Sequence, residues 1–593
     1  EPFAADVSEG KNDPIYNAHS YHTKVPYKAI MRYILHYTQP GDIVLDGFSG
    51  TGMTGIAAQF CGKKEYVEKL GFSVSEKNEV YYHDMLISKL GERKSILNDL
   101  SPIAGLIAYC YNHSLDTTLF MNMASEIVSR VEKKYDWMYR TKHDEVTLGK
   151  INYLVWSEVF SCPHCSGDLI FWDVAVEDND RVKETFICPH CKSQLTKREI
   201  LKNWETNYDS FLNKTTNQTK FVPVIVNYSI GNQRFEKRVD NNDIELIKLI
   251  EDQQVVLNSI PLDEIKIGDE TNRLIQNGLT HAHHFFTKRN LIILSEIFNE
   301  INKTGNQHLK FWFTAAIANL GKTARYKFKR SGNVPLSGTL YLPSLSTETN
   351  VFQALRSKIK QINSMLKFIK SDSYTNLISN QSSTQLLIKD ESIDYIFTDP
   401  PFGANLTYSD LNFIWESWLK IRTNTESETI VSKIQQKDLN TYQSLITLAF
   451  KEYYRVLKPG RWMTVEFSNS QASVWNAIQE AIQKAGFVIA NVSALDKKQG
   501  SFKAVTTTTA VKQDLVISAY KPKTEHIEKM RREQNTEESA WTFVRQHLEQ
   551  LPVFIGHKGE AQIIAERTPR ILFDRMVAYH VQNGLPVPIS SAE

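Results

Sequence analysis

An apolar run that ends in an acid and then breaks into glycines constrains this chain more than any other feature. Residues 41 to 59 read GDIVLDGFSGTGMTGIAAQ: a short strand Ile43 to Leu45, the acid Asp46, a glycine-rich turn, and a helix-like run from Met53 to Gln59. Strand, tight turn and helix N-terminus in that order form a cradle of the nucleotide or dinucleotide type, because glycine lets the backbone approach a ligand closely. A glycine-rich turn in an ordinary α/β fold is spelled the same way. Either reading predicts an α/β domain.

A second acid, Asp99, ends the next strand in SILNDLSP, where a carboxylate can accept hydrogen bonds from both ribose hydroxyls. It follows Asp46 by 53 residues, against about 20 in the usual arrangement, so an extra segment is expected between them. Upstream, Tyr21-His22-Thr23-Lys24-Val25-Pro26 precedes an amphipathic helix with Ile30, Tyr33, Ile34 and Tyr37 on one face. Thr23 and Lys24 could hold a ligand carboxylate, or the stretch could be a helix cap followed by proline. Far downstream, TDPPFGAN follows the buried-strand pattern Ser392 to Phe397, which puts Asp399 at a strand's carboxyl end, where open α/β sheets bind their ligands.

With DGFSGTG and TDPPF on one chain, the sequence resembles the S-adenosylmethionine-dependent amino-methyltransferases of DNA. The resemblance implies a Rossmann-like domain. In that family a D-P-F-x-G-x-G turn binds the methyl donor, which assigns Asp46, Phe48, Gly50 and Gly52 to S-adenosylmethionine. Gly47 stands where the family usually has proline, a departure expected to loosen the turn. HTKVP is similar to the family's H-P-T-x-K-P element, which assigns Thr23 and Lys24 to the donor's methionine end. The family's D/N/S-P-P-Y/F turn binds the amine to be methylated, here Asp399, Pro400, Pro401 and Phe402, and aspartate in first place goes mostly with adenine N6. YRVLKPG at 454 to 460 and the strand Trp462 to Phe467 extend the match, which covers roughly residues 15 to 110 and 375 to 522.

The chemistry explains those residue types. An exocyclic amine is a poor nucleophile because its lone pair is delocalised into the ring, so the developing ammonium needs acceptors already aimed at its hydrogens. Asp399 can supply one and the Pro400 carbonyl another, held in place by the fixed φ of the prolines. Phe402 would stack on a base taken out of the duplex. The helix-like stretch that follows, with Leu411, Ile414, Trp415 and Trp418 at helical spacing, reads as core rather than as a base platform.

Between the two matched regions, Cys162-Pro-His-Cys165 and Cys188-Pro-His-Cys191 are separated by 22 residues that include the strand-like run Leu169 to Val176. Two such knuckles supply the four thiolates of a structural zinc site with no open position, a zinc ribbon at about 155 to 200. His164 and His190 then read as knuckle residues, and Cys61 and Cys110 as buried thiols. In Thr323 to Arg330 cationic and aromatic residues alternate as on a strand, which would put Arg325, Lys327 and Lys329 on one face suited to phosphates. His281, His283 and His284 have no obvious acidic partner and read as core or surface histidines. Residues 351 to 369 form a helical pattern returning the chain to the catalytic domain.

The formal charge of +2 rules out reading a nucleic-acid partner from overall basicity. No stretch is apolar enough to span a bilayer, and the start EPFAADVSEG lacks a leader pattern, so a soluble cytoplasmic protein is expected, preceded by residues before Glu1. The expected organisation is 1–110 and 375–522 for the two parts of the methyltransferase domain, 111–374 for an α+β insertion that recognises the target, and 523–593 for a helical segment, solvated by default. The expected activity is adenine-N6 methylation of double-stranded DNA, within a restriction or phage-defence setting that would bring protein partners. The alternatives are a guanine-N2 methyltransferase of tRNA or rRNA, and a non-catalytic nucleic-acid-binding subunit.

Overall fold

The computed structural model describes all residues except 4–6, 9–12, 178–180, 254–258, 329–333, 370–374, 405, 470, 497–513, 554–563 and 591–593. At its centre lie seven strands: β1 (Ile43–Asp46), β2 (Lys94–Asp99), β3 (Asn376–Asn380), β4 (Ile393–Thr398), β5 (Leu457–Phe467), β6 (Val488–Asp496) and β7 (Asp514–Tyr520). Their order across the sheet is β3-β2-β1-β4-β5-β7-β6, and the short strand Val7–Ser8 adds to the β6 edge. Strands β1 to β5 are parallel, while β7 runs antiparallel to both neighbours. This is the Rossmann-like α/β architecture expected from the glycine turn.

Helices cover both faces of the sheet, which explains the continuous apolar runs. Every residue of β4 is buried; Tyr395 and Phe397 join the core on one face, Ile393 and Ile396 the core on the other. The amphipathic helix Tyr27–Tyr37 buries Ile30, Tyr33, Ile34 and Tyr37 as its periodicity predicts. Strand order steps outward from β1 to β3 and then returns to place β4 on the other side of β1. The carboxyl ends of β1 and β4 therefore flank the point where the winding reverses, and a crevice opens there. The long spacing from Asp46 to Asp99 is filled by a helix, Lys64–Lys69, and three short antiparallel strands between Ser73 and Lys89.

The insertion is built on the strand Leu148–Ser161, which pairs with Phe221–Ile230, Leu345–Thr349 and Arg140–Lys142. Helices Thr117–Tyr135, Lys288–Thr304, Gln307–Ile317 and Val351–Leu366 complete it. Its long strand runs directly into Cys162, so the cysteine module grows from the end of the sheet. Each knuckle closes in the same way, with the fourth residue after the first cysteine in the left-handed region (Ser166 at φ 58°, Lys192 at φ 65°). Its amide then donates to the carbonyl of that cysteine, Ser166 to Cys162 and Lys192 to Cys188. The four sulfurs lie within 4.8 Å of one another, Cys162 to Cys191 at 3.7 Å and Cys165 to Cys188 at 3.8 Å. Sulfurs bound tetrahedrally at the usual zinc–sulfur length would be about 3.8 Å apart, so the set fits a structural zinc.

Three expectations need correction. Leu169 to Val176 is not one strand: Asp168–Ile170 is extended, then Phe171–Ala175 turns into a short helix that buries Phe171 and Ala175 in the module's core. Thr323 to Phe328 is not a regular strand with a basic face. It makes a single bridge, Arg325 to Ser346, while Tyr326 and Phe328 pack on Trp172 and leave Arg325 and Lys327 half-buried; Lys329 lies outside the described residues. Helices Thr524–Arg532, Glu538–Gln550 and Pro569–Gln582 are not a solvated appendage. They bury Met530, Phe543 and Met576 in the main core, and His547 Nδ1 meets the Tyr520 hydroxyl at 3.0 Å. No helix among the described residues is long and apolar enough to cross a membrane.

Because the cysteine module has only a small core of its own, metal should hold it together. We expect one zinc per chain by elemental analysis, and its removal by chelator to raise hydrogen exchange across 160–200 while the seven-stranded sheet stays protected. Cys165→Ser should reproduce that pattern without added chelator.

Candidate active site

Asp46 closes β1, Asp99 closes β2, and Asp399 is the first residue after β4. All three line one cleft of about 930 Å³, open solvent included, together with Thr23, Lys24, Phe48, Gly50 and Pro401. Side chains that the sequence spreads over some 380 residues thus meet at the crevice that the strand order creates. Gly52, Pro400 and Phe402 are not on its wall.

Two carboxylates that accept hydrogen bonds hold the glycine turn. Asp46 accepts from the Thr54 hydroxyl at 2.6 Å and the Phe48 amide at 3.2 Å. Asp99 accepts from the Gly50 amide at 2.8 Å and the Ser101 amide at 2.9 Å, which pins the tip of the turn to β2. Gly52 serves packing instead. A Cβ there would come within 2.8 Å of the Ala108 side chain, so this glycine lets helix Met53–Phe60 pack on helix Pro102–Asn112. At Gly47, the position of the missing proline, a Cβ would lie 1.9 Å from the Tyr453 hydroxyl. Its carbonyl is gripped by Ser383 and by Asn98 Nδ2. The turn is therefore not loosened; it is packed under Tyr453.

The catalytic-type turn is fixed from below. The Tyr442 hydroxyl donates to the Pro401 carbonyl at 2.7 Å, and Asn469 Nδ2 to the Phe402 carbonyl at 2.8 Å. Among the described residues the Pro400 carbonyl accepts no hydrogen bond. Phe402 packs edge-on against Phe467, ring centres 5.4 Å apart, so one ring edge is held by protein. Lys24 differs from expectation: its ammonium is saturated by the carbonyls of Tyr16 and His19, at 2.7 and 2.5 Å, and by the Tyr111 hydroxyl at 3.3 Å. Thr23 Oγ1 meets the Tyr408 hydroxyl across the cleft at 2.9 Å.

Burial dominates the electrostatics. It pushes the Asp46 carboxyl up to about 7 and Asp99 up to about 6, against the donors that hold them, and pulls Lys24 down to about 7. Such a cleft suits a ligand that brings hydroxyl donors and positive charge. S-adenosylmethionine carries groups of both kinds, so the lining fits it.

The segment that follows the catalytic-type turn forms the outer wall, with Tyr408, Ser409 and Ser427 to Thr429. A loop of the insertion clamps it. Asp410 accepts from the Glu270 amide at 2.9 Å, and a Cβ at Gly268 would strike the Asp410 carboxylate at 2.3 Å. Asp269 accepts from Thr407 and Ser432, and Arg422 pairs with Asp263 at 2.8 Å.

The histidine cluster does have an acid. His283 and His284 Nε2 both meet Asp209 Oδ2, at 2.7 and 2.8 Å. These are hydrogen-bond lengths, shorter than the roughly 3.3 Å between nitrogen and oxygen ligands on one zinc. His284 Nδ1 also accepts from the Thr280 amide at 3.1 Å, so its Nε2 carries the proton and donates to Asp209.

Tyr453, Ser383, Asn98, Tyr442 and Asn469 escaped sequence reasoning. Asn469 alone carried a signal, as a polar residue just past a strand's carboxyl end.

A family model described as DNA methylase, of the N6/N4 methyltransferase type, matches residues 5–87 and 393–553. These two segments match the DNA methylase family. They contain the glycine turn and the Asp-Pro-Pro-Phe turn, and the second runs on through helix Glu538–Gln550. No curated protein matches the chain. Among solved structures, a candidate DNA modification methylase of Thermus thermophilus is 13% identical over 33% of this chain and 72% of that one, at a TM-score of 0.16. A 16S rRNA (adenine(1408)-N(1))-methyltransferase from Catenulisporales acidiphilia is 9% identical over 28% and 74%, at 0.16. The antibiotic-resistance methyltransferase Kmr is 12% identical over 25% of this chain, at 0.15, and this chain spans 62% of its length.

Gly47→Ala should overpack the Tyr453 contact and cost about 1–3 kcal/mol. The checks are thermal unfolding and calorimetry with S-adenosylmethionine, where both stability and affinity should fall. Pairing it with Tyr453→Leu should recover part of both.

Proposed function

We propose that the chain is a DNA methyltransferase that moves a methyl group from S-adenosylmethionine to the exocyclic N6 amine of an adenine turned out of the duplex. The observation that carries this reading is the convergence of Asp46, Asp99 and Asp399 on one cleft beside a rigidly supported Pro-Pro-Phe turn. The family match supports an N6 or N4 amine in DNA as the target class. The choice of adenine rests on aspartate at 399, by the resemblance already given. The insertion is the proposed target-recognition part; Thr23, Asp46, Phe48, Gly50 and Asp99 are proposed to hold the donor, and Asp399, Pro400, Pro401 and Phe402 the target amine and base. Gly52 acts through helix packing, and Lys24 by holding the segment from Tyr16 to Lys24 in place.

Bound in the cleft, S-adenosylmethionine supplies an electrophilic methyl group. Asp99 would orient the ribose through its hydroxyls. Asp399 and the Pro400 carbonyl would accept hydrogen bonds from the target amine as its nitrogen turns tetrahedral and gains positive charge, which stabilises the transition state more than the ground state. Tyr442 and Asn469, by fixing the next two carbonyls, keep the acceptors from relaxing away.

Tritium transfer from labelled donor to duplex DNA and to tRNA tests the activity, and sequencing of methylated bases identifies the position. Label on adenine N6 of DNA is expected; DNA binding without transfer to either substrate would remove the enzyme reading. Asp399→Ala should lose at least a hundredfold in turnover while keeping donor affinity within about threefold.

Donor binding should also depend on pH with a defined sign. Asp99 is raised from 3.8 to about 6 in the donor-free protein, so below pH 6 it is largely protonated. Ribose hydroxyls donate to its ionised form, so binding expels a proton and affinity should rise between pH 5 and 7, then level off. Thermal stability without donor should run the opposite way. Asp46 and Asp99 hold protons more tightly folded than unfolded, so their contribution falls as pH rises from about 4 through 7. Asp99→Asn should flatten the affinity profile.

A further inference from the structure

A second cavity, of about 1650 Å³ with open solvent included, lies wholly within the insertion, outside the segments that match the methylase family. Its walls are the hairpin Trp204–Asp209 and Lys214–Thr219, the end of helix Asn241–Glu251, the start of helix Lys288–Thr304, and the strand Leu345–Thr349. Aromatic surface comes from Trp156, Phe211 and Phe286.

Its polar groups fall into two sets. The buried acids are already matched: Asp209 by His283 and His284, and Glu348 by the Trp156 indole and the Thr287 hydroxyl, both at 2.8 Å, with Arg289 at 3.6 Å. A metal ion or an organic cation would find no unmatched buried carboxylate there. The second set still has hydrogen-bonding capacity. The Thr347 hydroxyl and His283 Nδ1 are buried without a partner among the described residues, in side chains 2% and 4% exposed. Among the described residues the Lys322 ammonium makes one long contact, 3.5 Å to Gln218 Oε1, and it feels the charges of Glu251 and Glu205. Lys322 and Lys288 oppose these two glutamates on the wall, so a ligand of large net charge of either sign gains little. Balanced charge, aromatic faces and unused donors and acceptors on the inner wall are complementary to a flat, neutral heterocycle.

We propose that this cavity binds a nucleobase, either in a free nucleoside or in a nucleic-acid strand, independently of the methyl-transfer cleft. An extrahelical base here would give the insertion a way to read sequence by hydrogen bonds to a base edge. A free nucleoside would make the same pocket an effector site.

The test is calorimetry on the full chain with adenosine, guanosine, cytidine and thymidine, and fluorescence titration with duplexes carrying 2-aminopurine. Each is run on wild type, Lys322→Met and Thr347→Val. The methyl-transfer cleft is intact in all three proteins, so only the difference between them reports on the second cavity. Binding at least tenfold weaker in both variants, with S-adenosylmethionine affinity unchanged, supports the proposal. Loss with nucleosides identifies a free ligand, and loss confined to the duplex arm identifies a base in a strand. Should a variant melt early, Lys322→Gln keeps the volume while removing the charge and serves in its place. Equal binding by wild type and folded variants, or no binding of any nucleoside or duplex by wild type, overturns it.

Discussion

A single buried carboxylate, Asp394, ties together the three strands on which the cleft depends. β1 and β4 are in register over only two residue pairs, Val44 with Tyr395 and Leu45 with Ile396. Asp394 supplements that short ladder by accepting from the Ile43 amide at 3.0 Å, and β5 answers with Lys458 at 2.6 Å and Arg461 at 3.3 Å. Because Lys458 and Arg461 are 41% and 37% exposed, solvent screens these ion pairs and they add little net stability. The value of Asp394 is positional. It pins the amino ends of β1 and β4 to each other and to the start of β5, and so sets the register from which the strands run up to the two turns.

What could be read from the sequence follows from the range of the forces involved. The glycine turn, the strand before Asp399 and the two cysteine knuckles are local patterns, set by φ, by strand burial and by thiol spacing, and the structure has all of them. The compensation at Gly47 is not local: its partner Tyr453 lies 406 residues away on a helix chosen by the sheet's topology. Asp209 joined the histidines through a hairpin that no periodicity in GLTHAHHFF announces. Residues 323 to 328 failed as a strand because alternation of charge and aromatic character measures only a preference for two faces. The neighbouring aromatic Trp172 decided which face was buried.

The insertion and the wall of the cleft are mechanically joined in this fold. The wall from Thr407 to Ser432 belongs in sequence to the catalytic half, yet its hydroxyls and Asp410 are bound by residues 268 to 270 of the insertion. Gly268 matters because any side chain there would collide with the Asp410 carboxylate. Asp410 is raised to about 6, chiefly by burial, with Glu428 and Asp269 adding to the shift. The contact therefore holds an acid whose charged form burial disfavours, and the Glu270 amide offsets part of that cost. If the insertion recognises the target as proposed, a displacement of it would be felt at Tyr408 and Ser409 without any longer pathway.

The placement of Lys24 sharpens the electrostatic logic of the cleft. A lysine paired with a buried aspartate lowers the acid's pKa. Here three oxygen acceptors take the ammonium, and Asp46 and Asp99 stay high. Burial thus disfavours the charged form of both acids, and a ligand that brings hydroxyl donors or positive charge would relieve that cost. On the methyl-transfer reading, a sulfonium enters this field and leaves as a neutral thioether. Part of the attraction between the acids and the donor therefore disappears at the moment of transfer, while the hydrogen bonds from the ribose to Asp99 do not. The site would keep its grip on the nucleoside half and loosen it at the reacting end.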